Sequence, residues 1–332
     1  MDVLLDVNPV ELTRYVRPLI EATDKDRANG TLADILPAEK YDSDTVEWTT
    51  ESRTGVVAKV RSWDTESEIA SGGYASRNNI AKLPPISIKD KFSELAKIRR
   101  MGRNAPETAQ VAAERIAKSV GFGVLDRVIQ LRGEALETGK LAINEGGVIQ
   151  DVDFGRKPEF TKTAGTLFSA AGADPIAFLE TILEEYEDEN GEYPDRLVGS
   201  KRVRTAMRKA IVAAGYFGTD KSTFVRNSDI DELLIDRDIP AFTTNDKVIG
   251  GQRVIAADKL ILAKSVTAGQ TAWGTPAEVA DPKYSAFGPG EGSGVLVGSY
   301  DEQDPWITWI RSTAVALPLL TNPNATMAAK VL

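Results

Sequence analysis

Residues 106–139 read PETAQVAAERIAKSVGFGVLDRVIQLRGEALETG, and this stretch decides the fold. Asn104-Ala105-Pro106-Glu107 is a helix start, because proline in the first turn lacks only an N–H that would be unpaired anyway. Ile116, Val120, Val124, Val128, Leu131 and Ala135 follow at steps of four or three and line one face. The opposite face carries Glu114, Arg115, Lys118, Arg127, Arg132 and Glu137, with Glu114 and Lys118 spaced to pair. Gly139 supplies a left-handed stop. At ~1.5 Å per residue the helix spans on the order of 50 Å, far above the ~11–12 residue average, so it reads as a strut. Gly121 and Gly123 lie inside it, where each costs ~1 kcal/mol relative to alanine. They mark either a bend in the strut or a place where a neighbouring element packs closely.

The rest of the chain sets what this strut can brace. Its 332 residues suggest about two domains, and 42% hydrophobic with 27% charged content is that of a globular protein with a sizeable core. No apolar run approaches the ~18 residues that would span a membrane. The acidic start Met1-Asp2-Val3-Leu4-Leu5-Asp6 lacks the basic segment of a signal peptide, so synthesis in the cytosol is expected. Cysteine and histidine are both absent. Disulfides, Cys-His and Ser-His-Asp catalysis and cysteine or histidine zinc sites are thereby excluded. The commonest general base near neutral pH is missing too, which lowers the case for an enzyme. A net charge of −9 argues against general nucleic-acid binding, though it suits a surface that lies near nucleic acid without adhering.

Before the strut, residues 1–45 read as a weakly structured arm, with a short helix whose face is Leu12, Val16 and Ile20. From Thr45 the pattern is that of strands: Val46, Trp48 and Thr50 alternate, Val56–Trp63 continues, and Ile80–Ile88 returns, its prolines fitting an edge strand. The intervening polar tip, Asp64–Asn79, is long for a hairpin loop. Such a two-stranded ribbon is not stable alone, so Trp48, Trp63, Tyr74, Leu83 and Ile86 need a partner surface. Lys89–Met101 reads as a short helix or turn with a basic end.

After the strut, a hairpin turns at Asn144–Gly147, and Asp174-Pro175 caps a helix with Ile176, Leu179, Ile182, Leu183 and Tyr186 on its face. Arg196–Gly199 reads as a buried strand, and Ser200 caps a helix over 201–213 with a basic face. Further strands are expected at 232–235, 239–242, 253–256, 260–263, 295–300, 306–320 and 328–332, without regular βα alternation. The fold class is therefore α+β.

Motifs of chemistry are weak. Gly288–Gly294 resembles a dinucleotide loop but precedes a strand, and Gly133–Leu141 resembles a phosphate loop but ends a helix. The pairs Asp151/Asp153, Asp229/Asp231 and Asp236/Asp238 have the spacing of a carboxylate dyad, yet Asx-rich turns give the same pattern. No catalytic, cofactor or metal residue is assigned. Glu184, Glu185, Glu187, Asp188, Glu189 and Glu192 crowd a helix C-terminus, where the dipole disfavours them. They read as a solvated run or as a contact for a basic helix of another subunit, with Glu184, Glu185, Arg204 and Arg208 as the charged candidates.

The order of these parts resembles a tailed-bacteriophage major capsid protein of the lambda-like capsid protein E family. The likeness is carried by the arm, the Trp48–Ile86 ribbon, the helix ending Gln130–Lys140, the Pro194–Ser200 strand-to-helix step and the tail from Asp304-Pro305-Trp306 to Asn322-Pro323. It implies the tailed-phage capsid fold: an N-terminal arm (1–45), an E-loop ribbon (46–88), a P domain (89–173) on a spine helix (106–139), an A domain (174–290), and C-terminal strands (291–332) returning to the P domain. It further implies pentamers and hexamers in an icosahedral shell around packaged double-stranded DNA, assembled in the host cytoplasm and located in the virion. A separate scaffolding protein, a portal and a decoration protein are the implied partners, with no membrane and no cofactor. The rivals are an encapsulin-like nanocompartment shell and a carboxylate-dependent hydrolase.

Overall fold

The long helix keeps its place. In the computed structural model, which describes residues 9–53, 60–61, 63, 66, 74–95, 109–217, 225–284, 287 and 292–332, it runs without interruption over Ala109–Thr138. We label it α2; its expected start at Pro106 lies outside the described residues. Gly139 ends it at φ +69°, its N–H donating to the Ala135 carbonyl at 2.9 Å. Val120, Val124, Val128, Leu131 and Ala135 are buried, and Ile116 packs half-buried on the same core.

The opposite, charged face is open to solvent only near the helix start, at Arg115 and Lys118. From Val120 onward burial extends around the helix, taking in Leu125, Ile129, Leu136 and Arg132. A helix covered on all sides is a core element, and its covers come from distant parts of the chain.

One cover is the supposed arm. Residues 9–25 form α1 (Pro9–Lys25), with Val10, Leu12, Val16 and Ile20 buried against α2 and the neighbouring sheet. Leu32, Ile35 and Leu36 continue the burial. The expectation of an arm that cannot bury itself is thus corrected for residues 9–45. The apolar face was legible, but its receiving groove is made by distant residues, from Gly121 to Val297, the latter 284 positions from Thr13.

The strands, numbered in chain order, are β1 (Ala38–Lys40), β2 (Thr45–Arg53), β3 (Tyr74–Lys82), β4 (Pro85–Phe92), β5 (Lys140–Glu145), β6 (Val148–Asp153), β7 (Thr161–Thr163), β8 (Arg196–Gly199), β9 (Phe242–Thr244), β10 (Val248–Ile249), β11 (Gln252–Arg253), β12 (Lys259–Ala263), β13 (Gln270–Gly274), β14 (Leu296–Gln303), β15 (Trp306–Leu319) and β16 (Thr326–Lys330). The remaining helices are α3 (Pro175–Asn190), α4 (Lys201–Ala213) and α5 (Asn227–Asp236). A first sheet runs β1-β13-β15-β14, and β4 also pairs with β15. A second runs β7-β16-β12-β8-β9. The pairs β2–β3, β5–β6 and β10–β11 stand as two-stranded ribbons.

The second sheet is buried on both faces. Val198, Ile261 and Ala263 face the core around α2, whereas Leu197, Leu260, Leu262, Met327 and Ala329 face a second core with α3, α4 and α5. Alternate side chains point to opposite faces, so a doubly covered strand reads as the unbroken apolar run 260–263.

Three further expectations change. Residues 232–235 lie in α5, where Ile230 and Leu234 are buried at helical spacing; a short apolar run does not by itself tell helix from strand. Lys89–Phe92 are strand, not helix or turn, because they pair with Thr308–Arg311. The partition at 174–290 and 291–332 is crossed by two strands. β13 joins the first sheet, while β16 sits between β7 and β12 in the second.

Candidate functional site

The ribbon is built from its base outward. β2 and β3 pair antiparallel from Thr45↔Lys82 to Arg53↔Tyr74, so Tyr74–Asn79, expected within the loop tip, are strand. Val46, Ala81 and Leu83 are buried, Trp48 lies 6.2 Å from the Phe154 ring, and Ile86 is half-buried on the main core. The Gln150 amide donates to the Lys82 carbonyl at 2.9 Å and ties the β5–β6 hairpin to the ribbon's foot. Trp48, Leu83 and Ile86 therefore find partners within their own chain, which corrects the expectation that they need another surface. They belong to the foot of the ribbon.

Farther out, and on the other face of the foot where Ile80 pairs with Glu47, the picture reverses. Trp63 is 96% exposed and Val60 fully so, and Ile80 and Ile149 follow at 66% and 83%. Only Trp63 of these four is singled out by the sequence; the others need the strand register that decides which face is open. Tyr74 lies in β3 at the pair with Arg53.

The two spine glycines differ. A Cβ on Gly121 would stand 2.5 Å from Val16 Cγ1 and 3.0 Å from Ile20 Cδ1, so α1 packs directly on that position. A Cβ on Gly123 would make ordinary contact with Ile88 at 3.5 Å.

Arg132, placed by periodicity on the charged face, is fully buried. Its Nη1 and Nη2 donate to the two Asp24 carboxylate oxygens at 2.5 and 2.9 Å, its Nε to Thr271 Oγ1 at 2.8 Å, and its Nη1 also to the Thr31 carbonyl at 3.1 Å. This bidentate pair joins α2, α1 and β13. The available signal was the row Val128, Arg132, Leu136, which places the arginine between two apolar residues one turn away on each side. Arg156 does similar work at the helix end, donating to the carbonyls of Leu136 and Glu137 at 2.7 and 2.8 Å. Burial lowers its pKa to about 10, which still leaves it charged at neutral pH.

The charged candidates are largely engaged within the chain. Glu185 pairs with Lys162, and Arg204 donates to both Asp231 oxygens at 2.8 and 2.5 Å. Arg208 donates to Asn227 at 3.3 Å, and Glu184 stands exposed on α3. The aspartate pairs have structural work as well. Asp153 pairs with Lys140 at 2.7 Å, Asp229 accepts from the Arg226 N–H that precedes α5, Asp231 holds Arg204, and Asp238 turns the chain at φ +57°. Among the described residues no group of three or more His, Cys, Asp or Glu is placed to hold a metal ion, and no helix is long and apolar enough to cross a membrane. Residues 288–291 of the glycine-rich run lie outside the described residues.

With this geometry in hand, a family model described as phage major capsid protein E matches residues 10–331. No curated protein sequence matches the chain. Among solved structures it is similar to a protein of E. coli CFT073 assigned as a prophage capsid protein, at 14% identity and TM-score 0.63, covering 98% of this chain and 99% of that one. It is also similar to the capsid of Myoviridae phage XM1, at 13% identity and TM-score 0.51, covering 92% and 91%. The SrpI encapsulin of Synechococcus elongatus PCC 7942 follows at 10% identity and TM-score 0.50, covering 91% and 87%. At these identities the likeness speaks of the fold.

Proposed function

The chain belongs to the phage major capsid protein E family, and from that premise we propose that it closes, as pentamers and hexamers, an icosahedral shell around packaged double-stranded DNA. Family membership makes it a structural subunit of a phage capsid, part of the virion, that associates with copies of itself. The observation that carries the finer reading is the ribbon. Its foot is fixed in a complete core, while Val60 and Trp63 stand uncovered beyond it, with Ile80 exposed on the open face of the foot and Ile149 on the adjoining hairpin. Scattered exposed apolar residues are ordinary, but here they stand on one projecting element and its brace. A neighbouring subunit is the surface that would cover them, with Trp63 and Tyr74 on the outer ribbon and Trp48, Leu83 and Ile86 holding its foot.

The same reading makes the chain a non-enzyme that relies on a scaffolding protein, a portal and a decoration protein, as the family resemblance implies. It makes α2 a strut that flexes near Gly121 and Gly123 when the shell matures. Purified protein examined by negative-stain electron microscopy and size-exclusion chromatography tests the whole. Closed particles holding nuclease-protected DNA are expected; a species that stays near 35.9 kDa at high concentration overturns the shell, and particles filled with a protein cargo instead of DNA overturn the viral role.

A further inference from the structure

We infer that a groove along α4 receives the acidic end of α3 from a neighbouring copy of the chain; this rests on the capsid reading, because it needs copies that pack side by side. The groove, about 720 Å3, is lined by Phe168, Ala170, Ala206 and Ala210 on an apolar floor and by Lys201, Arg202 and Lys209 at its rim. The three cations are exposed, and their side chains make no ion pair or hydrogen bond among the described residues. They are not the arginines that periodicity singles out, since Arg204 and Arg208 face inward to Asp231 and Asn227.

The complement stands on α3. Glu185, Glu189 and Glu192 are matched within the chain by Lys162, Lys157 and Lys264. Glu187 is hydrogen-bonded to the Tyr193 hydroxyl, and Glu184 and Asp188 remain, exposed, four residues apart and without an ion pair among the described residues. That spacing puts both on one side of the helix, at its C-terminal end, where the helix dipole adds to the cost of negative charge. A cation from outside would relieve both terms.

α3 touches the groove's floor only through Phe178, whose ring lies 5.8 Å from Phe168, and neither Glu184 nor Asp188 lines the groove. Complementary patches at different places on one subunit form a head-to-tail contact, and such contacts close into rings when the rotation permits. Exposed charge pairs add little affinity by themselves. Here the apolar floor supplies area to bury, and the charges fix register and exclude wrong pairings.

Charge reversal tests this. Glu184→Lys with Asp188→Lys, and separately Lys201→Glu with Arg202→Glu and Lys209→Glu, are each expected to cut the yield of sedimenting particles roughly tenfold or more, because like charges then meet across the contact. A chain carrying all five changes restores the complement with signs exchanged and is expected to recover assembly. Far-ultraviolet circular dichroism and thermal unfolding of the unassembled subunits should match wild type, since all five side chains are exposed. If either reversal assembles like wild type, or the five-fold chain folds normally without recovering particles, the inference falls while the capsid reading stands. If the five-fold chain does not fold, mixing the two separate variants decides in its place at the level of capsomers, since a five-membered ring cannot alternate the two: mixed even-numbered rings such as hexamers support the contact, and their absence refutes it. A wild-type protein that forms no particles removes the capsid reading itself, and this inference with it.

Discussion

At the scale of single residues, Arg132 carries the heaviest consequence. Its guanidinium is wholly buried and answered by Asp24, itself almost completely enclosed. Arg132→Met removes one half of the pair and leaves a buried carboxylate uncompensated, which is expected to cost about 3–5 kcal/mol in urea unfolding of the subunit. Arg132→Met with Asp24→Leu should recover much of that loss, because two apolar groups replace both charges. The spine glycines separate in the same assay. Gly123→Ala meets only ordinary contacts and should raise stability by up to ~1 kcal/mol through helix propensity. Gly121→Ala places a methyl against Val16 and Ile20 and should instead destabilise by about 1–3 kcal/mol. The sequence read alone makes both glycines equivalent; the packing of α1 makes them opposite. Particles of Gly123→Ala that mature normally would remove the bend at that position.

Among elements, the ribbon and α1 share one problem and solve it differently. Both carry apolar faces with nothing nearby in sequence to cover them. α1 is covered by α2 and β14, and its Thr13 hydroxyl both donates to the Val297 carbonyl and accepts from the Val297 N–H at 2.9 Å, closing that edge of the sheet. Among the described residues, the ribbon is covered only at its foot. Replacing residues 54–73 by Asn-Gly closes the hairpin at the Arg53↔Tyr74 pair with a favoured two-residue turn. The shortened subunit should unfold at the wild-type temperature yet fail to form closed particles under negative stain. Normal particles would show that the outer ribbon has no role between subunits.

For the whole molecule, the second sheet is the decisive feature, because its two faces belong to two different cores. A shared wall leaves neither core complete without the other, so calorimetry of the unassembled subunit should show one cooperative transition, and two resolved transitions would refute the coupling. The sequence by itself determined the long helix with its Gly139 stop, the ribbon, the strand-to-helix step at 196–201 and the family order of parts, because each rests on local periodicity, caps and turns. It also determined that cysteine and histidine chemistry is closed to this protein. Only the tertiary structure decided that Arg132 is buried, that residues 9–45 pack, that β16 enters the second sheet, and which of the charges on α3 and α4 are matched within the described residues. Each of these depends on a partner far away in the chain, and no local pattern encodes what lies across a packed interface. The strut read from 106–139 is therefore braced by segments that its own sequence could not name.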